Sequence, residues 1–359
     1  YKRQVCRSSR VFGKIHFPRL DPSDIDELSM ASELTLDYQN LGPDEILDAV
    51  ESQGFHCDGR LLALNSYENR VYQVGLEEND PIIAKFYRPE RWEDQEIQEE
   101  HDFAWELSQN EIPVVPPLQN NEGDTLQRHQ SYRFALFPNR GGRAPDLENP
   151  EHLEQLGRCL GRIHAVGKSK PFLFRPKLTA DSFGWNACRF VLDNQFIPKD
   201  LETAYRSLTE DLMQRVGWCF ERAGAIPSIR LHGDCHVGNI LWTDDGPHFV
   251  DLDDSRTGPA IQDLWMFLSG DKEDRNQTLE KLLSGYLQFC DLDPRQLHLI
   301  EALRTLRMIH HYAWIAKRWA DPAFPHAYPW FNTQRCWEEH ILNLREQAAL
   351  MEEEPLTWP

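Results

Sequence analysis

Asp234, Asn239 and Asp251 are the residues whose types and spacing point most directly to chemistry. They lie in the run LHGDCHVGNILWTDDGPHFVDLDD, residues 231–254. Asp234 and Asn239 are five apart in a glycine-containing, loop-like segment. Apolar Ile240, Leu241 and Trp242 follow, then a turn at Asp244-Asp245-Gly246-Pro247, then Phe249-Val250 leading into Asp251. This pattern predicts a loop, a short strand, a hairpin turn and a second strand ending in an acid. The hairpin returns Asp251 to the Asp234–Asn239 loop, so two carboxylates and an amide converge. Carboxylate and amide oxygens suit Mg²⁺, which is held by one or two carboxylates plus substrate phosphates. A further carboxylate can accept a proton from a substrate hydroxyl. Phosphoryl transfer needs these parts and little else. The competing reading is an Asx-rich pair of turns without chemistry; three positions agreeing in one hairpin context weigh against it.

A nucleotide needs a second set of groups, and these fall earlier in the chain. Helical spacing over 43–52 starts at Pro43 and stops at Gly54. Strands are expected at 61–64, 71–74 and 82–87, with a polar turn at 65–70 between the first two. Lys85 stands inside the apolar run IIAKFY. A lysine there is costly unless paired or functional; the alternative is the solvent face of an edge strand. A helix over 94–109 carries Glu99 and Glu100. A strand lysine paired to a glutamate on the next helix grips nucleotide phosphates. Glu100 shares the side of the buried stripe and is the chosen partner; Glu99 is the alternative. Two more strands, at 125–127 and 132–137, lead to a Pro/Gly break at Phe137-Pro138-Asn139-Arg140-Gly141-Gly142. That break reads as an interlobe hinge or a plain turn.

Beyond it the chain is mainly helical, with patterns over 149–166, 201–223, 263–268, 277–290, 293–319 and 336–351. His164 reads as a core or hydrogen-bonded histidine. Arg304, Arg307, Lys317 and Arg318 on the penultimate helix offer contacts to an acidic substrate, but read mainly as a solvated face. The fold class expected is α+β and bilobal. Residues 36–138 form a small antiparallel-sheet lobe and 139–359 a mainly helical lobe, with 1–35 an upstream or disordered extension.

Composition bounds the function. The net charge is −20, from 38 basic and 58 acidic residues, which argues against nucleic acid or an anionic membrane as the main partner. The eight cysteines form no CxxC, which favours a reducing cytoplasm over a disulfide framework. No apolar run is long enough to span a membrane. There is no GxxxxGK[ST], no GxGxxG, no HExxH and no GxSxG. A phosphate-covering loop would therefore be the 65–70 turn, built on side chains and backbone N–H groups rather than glycines.

HGDCHVGN at 232–239 with VDLDD at 250–254 resembles the aminoglycoside phosphotransferase/choline kinase superfamily, whose loop reads HGDxHxxN. The similarity extends to LNSYENRVYQV (64–74), KFYRPERW (85–92), FVDLDDSRTGPAIQDLWM (249–266) and KRWADPAFP (317–325), and is greatest to its bacterial stress-response kinases. The resemblance implies a protein-kinase-like fold. It implies a monomeric, cytoplasmic serine/threonine protein kinase that uses ATP and Mg²⁺ on protein hydroxyls. Asp234 would be the catalytic base, and Asn239 and Asp251 would hold Mg²⁺. Lys85, with Glu100, would grip the phosphates. Ser66, Glu68, Asn69 and Arg70 would form the covering loop, Phe137 would lie at the hinge, and His236 would stand near the γ-phosphate. His232 would brace the loop, and Asp263 would tie it down through backbone N–H groups. Three other readings remain beside this, the first two being a small-molecule kinase with the same catalytic residues and a metal hydrolase using His232, Asp234 and His236. A nucleotide-binding scaffold without activity is the third, weakened by the presence of all three loop residues and Lys85.

Overall fold

A computed structural model of the chain describes residues 38, 40–64 and 66–357. The expected N-terminal extension over 1–35, and Asn65 of the 65–70 turn, lie outside the described residues. The described chain divides into two compact units. One runs to Glu93 and adds Pro117–Asn139 and Ala320–Phe324. The other comprises Asp94–Pro116, Arg140–Trp319 and the chain from Pro325 on.

The first unit is an antiparallel sheet with one helix. Helix α1 (Pro43–Glu51) begins with proline at its first turn, and the Glu45 carboxylate accepts the Gly42 N–H at 3.1 Å. Strands β1 (Cys57–Ala63), β2 (Arg70–Leu76), β3 (Ile82–Phe86), β4 (Gln127–His129) and β5 (Tyr132–Pro138) form a sheet of order β1-β2-β3-β5-β4. Ile46, Ala49 and Val50 of α1 pack with Val74, Ala84, Phe86 and Phe134 in one buried core. Strand β3 is therefore central, flanked by β2 and β5, with Lys85 opposite Val71 and Ala135. The solvent-facing edge position is excluded: Lys85 is only 6% exposed. The expected strand at 125–127 begins at Gln127 instead, because its pairing partner Phe134 is fixed by β5.

The second unit is mainly helical. Helix α2 (Asp94–Gln109) has the predicted bounds. Helices α3 (Pro150–Gly167), α4 (Asn186–Asp193) and α5 (Lys199–Ala223) follow, then the short strand β6 (Ile229–Leu231), the hairpin β7 (Ile240–Thr243) and β8 (Gly246–Phe249), and β9 (Arg256–Gly258). Helices α6 (Gln262–Trp265), α7 (Lys272–Tyr286), α8 (Ile300–Lys317), α9 (Ala323–Ala327) and α10 (Gln334–Leu350) complete it, α9 starting at the end of the sheet unit. The helix expected over 293–319 is two pieces: residues Pro294–Leu299 are a 3-10 segment before α8. Strand β6 pairs with β9 antiparallel, which brackets the whole 232–255 region. Helix α3 meets α7 backbone to backbone: a Cβ at Gly157 or Gly285 would run into the Leu282 or Glu154 carbonyl oxygen.

Candidate active site

The loop after β6 is held by its backbone. The N–H groups of His232 and Gly233 donate to the two carboxylate oxygens of Asp263 at 2.8 and 2.9 Å. Asp263 is fully buried. Its Oδ2 also meets His164 Nε2 at 3.1 Å, and His164 Nδ1 meets the Tyr286 hydroxyl at 2.9 Å. The core reading of His164 and the tethering role of Asp263 both agree with this geometry. Gly233 has φ +87°, and a Cβ there would collide with the Asp254 carbonyl oxygen; only glycine fits. His232 braces the other side, its Nε2 lying 3.0 Å from the Val250 carbonyl.

Asp234, His236 and Asn239 then share one tight turn. His236 N–H donates to the Asp234 carbonyl at 3.0 Å, and Asn239 N–H to the His236 carbonyl at 2.9 Å. The Asn239 side-chain Nδ2 donates to the same Asp234 carbonyl at 3.0 Å, which turns its Oδ1 the opposite way. The hairpin closes as the spacing predicted, with Ile240 opposite Phe249 and Thr243 opposite Gly246. Its second strand ends at Phe249, two residues before Asp251. Val250 N–H donates to the Asn239 carbonyl at 3.0 Å, so Asp251 follows directly on a residue bonded to Asn239. Asp251 adopts φ 60°, ψ 64°, in the left-handed region. Aspartate is among the few non-glycine residues enriched in that conformation.

Two basic side chains flank the Asp234 carboxylate. Arg307 Nη1 of α8 forms an ion pair with Oδ1, and His236 Nε2 lies 3.4 Å from Oδ2. About a fifth of the Asp234 side chain is exposed. Burial works to raise its pKa, but Arg307 and then the His236 contact outweigh burial and hold the carboxyl well below the usual carboxylate range. Asp234 is thus ionised at every ordinary pH. Among the described residues no group of three or more His, Cys, Asp or Glu side chains converges as a metal cage.

The remaining predicted residues fall as follows. Glu100 is buried on α2, 3.9 Å from Arg175 Nη1. Its neighbour Glu99 is committed elsewhere: its carboxylate accepts the N–H groups of Leu173, Phe174 and Arg175 at 2.6–2.8 Å. In the sheet unit, Lys85 Nζ lies 5.1 Å over the Tyr87 ring. Glu68 and Asn69 are turned inward. Asn69 Oδ1 accepts the Arg88 N–H at 3.1 Å, and Glu68 lies 3.3 Å from Arg88 and 3.5 Å from Arg91. Arg88 is shared with Asp321 at 2.7 Å, and Arg70 reaches the same carboxylate at 3.3 Å. The loop's shape is therefore set by a buried ion network. Ser66 is half-buried, and Phe137 lies near the end of β5.

Residues 60–327 match the phosphotransferase enzyme family. The chain belongs to that family. It is 44% identical over 319 residues to the stress response kinase A of Salmonella choleraesuis (strain SC-B67), covering 89% of this chain and 96% of the relative. It is equally similar to the serine/threonine protein kinase RdoA of Salmonella typhimurium, over the same shares. Among solved structures, the amicoumacin kinase hAmiN in complex with AMP-PNP and Ca²⁺ has a TM-score of 0.65 at 20% identity, over 86% of this chain and 94% of that one. A microcompartment-associated aminopropanol kinase has a TM-score of 0.63 at 17% identity, over 84% and 96%. Both share this protein's fold, an antiparallel-sheet unit with a mostly helical remainder. No helix of the described residues is long and apolar enough to cross a membrane.

For this phosphotransferase, the sequence reading undervalued Arg307. Its spacing groups it with Arg304, Lys317 and Arg318 as a mainly solvated face. Instead Arg304 bonds Glu301 at 3.0 Å and Arg307 meets Asp234. The only hint was position. Residues 304, 307, 311, 314 and 318 recur at helical spacing, and all are half-buried rather than exposed.

Proposed function

We propose that this phosphotransferase is an ATP- and Mg²⁺-dependent serine/threonine protein kinase, carrying the γ-phosphate of ATP to protein hydroxyls. The observation that carries this reading is the single knot of Asp234, Asn239 and Val250-Asp251, in which hydrogen bonds fix the chain that bears a carboxylate, an amide and a second carboxylate. In it Asp234 orients the acceptor hydroxyl and takes its proton. Its low proton affinity suits a group that holds the hydroxyl in line more than one that removes the proton early. Asn239 Oδ1 and the Asp251 carboxylate are hard oxygen donors that fit Mg²⁺ and would hold it. The ion, when bound, neutralises phosphate charge. Lys85 grips the phosphates with Glu100 as its partner, Glu99 being committed to backbone N–H groups. The loop from Ser66 to Arg70 covers them chiefly through its backbone, since Glu68 and Asn69 face Arg88. His236 hydrogen-bonds the γ-phosphate, and Phe137 lies beside the base. A protein acceptor and a stress-response role are supported by the names of the curated relatives. The enzyme on this reading is monomeric and cytoplasmic.

A small hydroxyl compound as acceptor is the second reading, favoured by the similarity in fold to amicoumacin and aminopropanol kinases. A hydrolytic metal site on His232, Asp234 and His236 finds no support, because among the described residues no three such side chains converge to hold a metal ion. The test is labelled ATP and Mg²⁺ with a generic protein substrate, beside a panel of amino alcohols and aminoglycosides. Label in the protein, lost in Asp234→Ala while nucleotide binding persists, is the expected result. Transfer to a small alcohol alone would overturn the protein-kinase reading.

A further inference from the structure

The group closest to the Asp234 carboxylate from outside its own loop is Arg307. The pair is not sealed: the Arg307 side chain is 28% exposed and that of Asp234 20%. One turn further along α8 comes His311, then Trp314, with the two rings stacked at 5.7 Å. Trp314 meets Tyr328 at 6.1 Å, and Tyr328 meets Trp330 at 5.9 Å. Trp330 is 46% exposed. A continuous row thus runs from the carboxylate to solvent, with aromatic rings at its outer end. Burial, and then Arg307, push the His311 imidazole down to about 4, so it is neutral near pH 7. The Arg307 guanidinium thus stands beside Asp234 where an acceptor must approach, with a neutral ring behind it. A guanidinium offers a planar fork suited to carboxylate or phosphate groups. It also repels a cationic acceptor that brings its hydroxyl to Asp234.

We propose that Arg307 selects acceptors bearing an anionic group beside the accepting hydroxyl, exchanging its bond to Asp234 for one to that group. The exchange returns Oδ1 of Asp234 to the hydroxyl as the acceptor docks. The anion is a carboxylate of a neighbouring acidic residue or a phosphate already on one, and amino alcohols are disfavoured. This rests on the role given to Asp234 above.

The experiment compares wild type, Arg307→Ala and Arg307→Lys on matched serine peptides flanked by Glu, phosphoserine, Gln or Lys. A hydroxy acid and an amino alcohol of similar size serve as small acceptors. Wild type is expected to use an anion-flanked peptide at least about tenfold better, in kcat/KM, than the Lys-flanked one. Arg307→Ala should abolish that difference, chiefly by raising KM for the anionic acceptor. The lysine variant should keep part of it, and KM for ATP should stay within about twofold in both. Preference for only the Glu or only the phosphoserine peptide identifies the anion's source. Transfer indifferent to acceptor charge, or an equal kcat loss on every acceptor in Arg307→Ala, overturns the proposal and leaves the kinase reading standing. Transfer to small acceptors alone overturns the protein-kinase reading, and the hydroxy acid against the amino alcohol then decides the role of Arg307. Transfer to no acceptor refutes both.

Discussion

At the scale of single residues, Asp234 carries its charge between Arg307 and His236, while its loop hangs from Asp263 by two N–H bonds. Asp263 uses both oxygens at once, and nothing neutral can copy that. Asp263→Asn turns one acceptor into a donor facing a buried N–H. The expected loss is about 2–4 kcal/mol of stability, read by urea unfolding, with transfer reduced alongside. Asp251→Asn should instead weaken nucleotide binding in Mg²⁺ while keeping the left-handed backbone, measured by calorimetric titration. Residue-scale chemistry was legible in the sequence where it was local. Asp234, Asn239 and the turn between them lie within six residues, so their spacing alone aims them together. The Asp263 tether was reached only through family resemblance. Arg307 was not reached, because its partner lies on a distant loop and helical spacing does not say what a half-buried face touches.

Among the elements, helix α3 and helix α7 approach so closely that glycines are required at the crossing. A Cβ at Gly161 would meet the Tyr286 backbone, just as one at Gly157 would meet Leu282. Gly157→Ala should destabilise the protein by about 2 kcal/mol or more despite alanine's better helix propensity, because backbone must move to admit the methyl group. A thermal shift assay on that variant beside the half-buried control Gly217→Ala checks it, since a Cβ at Gly217 meets nothing. Elements with a clear period were legible: α2 was predicted at its observed ends, and the hairpin was predicted with a turn two residues too long, since Gly246 and Pro247 already belong to β8. Elements without one were not. Strands β6 and β9 are three residues each, and their pairing depends on the loop they enclose. The π-helical turn Asp181–Trp185 leading into α4 has no periodic signature and went unread. The 3-10 segment before α8 continued its apolar pattern and was absorbed into it.

For the molecule as a whole, buried neutral histidines make the fold sensitive to acid. His340 is 1% exposed and stacks on Tyr312 at 3.5 Å. Burial pushes its pKa from 6.5 down to about 3, and the same cause takes His310 to about 3. Above pH 6.5 these groups are neutral whether folded or not, so their contribution is constant. Between 6.5 and about 3 the unfolded chain binds protons that the folded chain refuses, and stability falls with pH. For His340 alone the loss by pH 4 is on the order of 3 kcal/mol. Urea midpoints measured from pH 7 to 4.5 should fall steadily, and His340→Phe should flatten the slope if the ring packs in its place. An unchanged slope would assign the acid sensitivity to other groups.

The left-handed backbone at Asp251 changes which substitution is the mild one. Asparagine tolerates that conformation nearly as well as aspartate, whereas glutamate does not. Asp251→Asn therefore removes a charge and leaves the chain path alone. Asp251→Glu keeps the charge and loads the turn that follows Val250. Among enzymes engineered from this scaffold, the swap that looks conservative on paper is the one expected to unsettle the loop, and the pair together separates electrostatics from geometry at a single position.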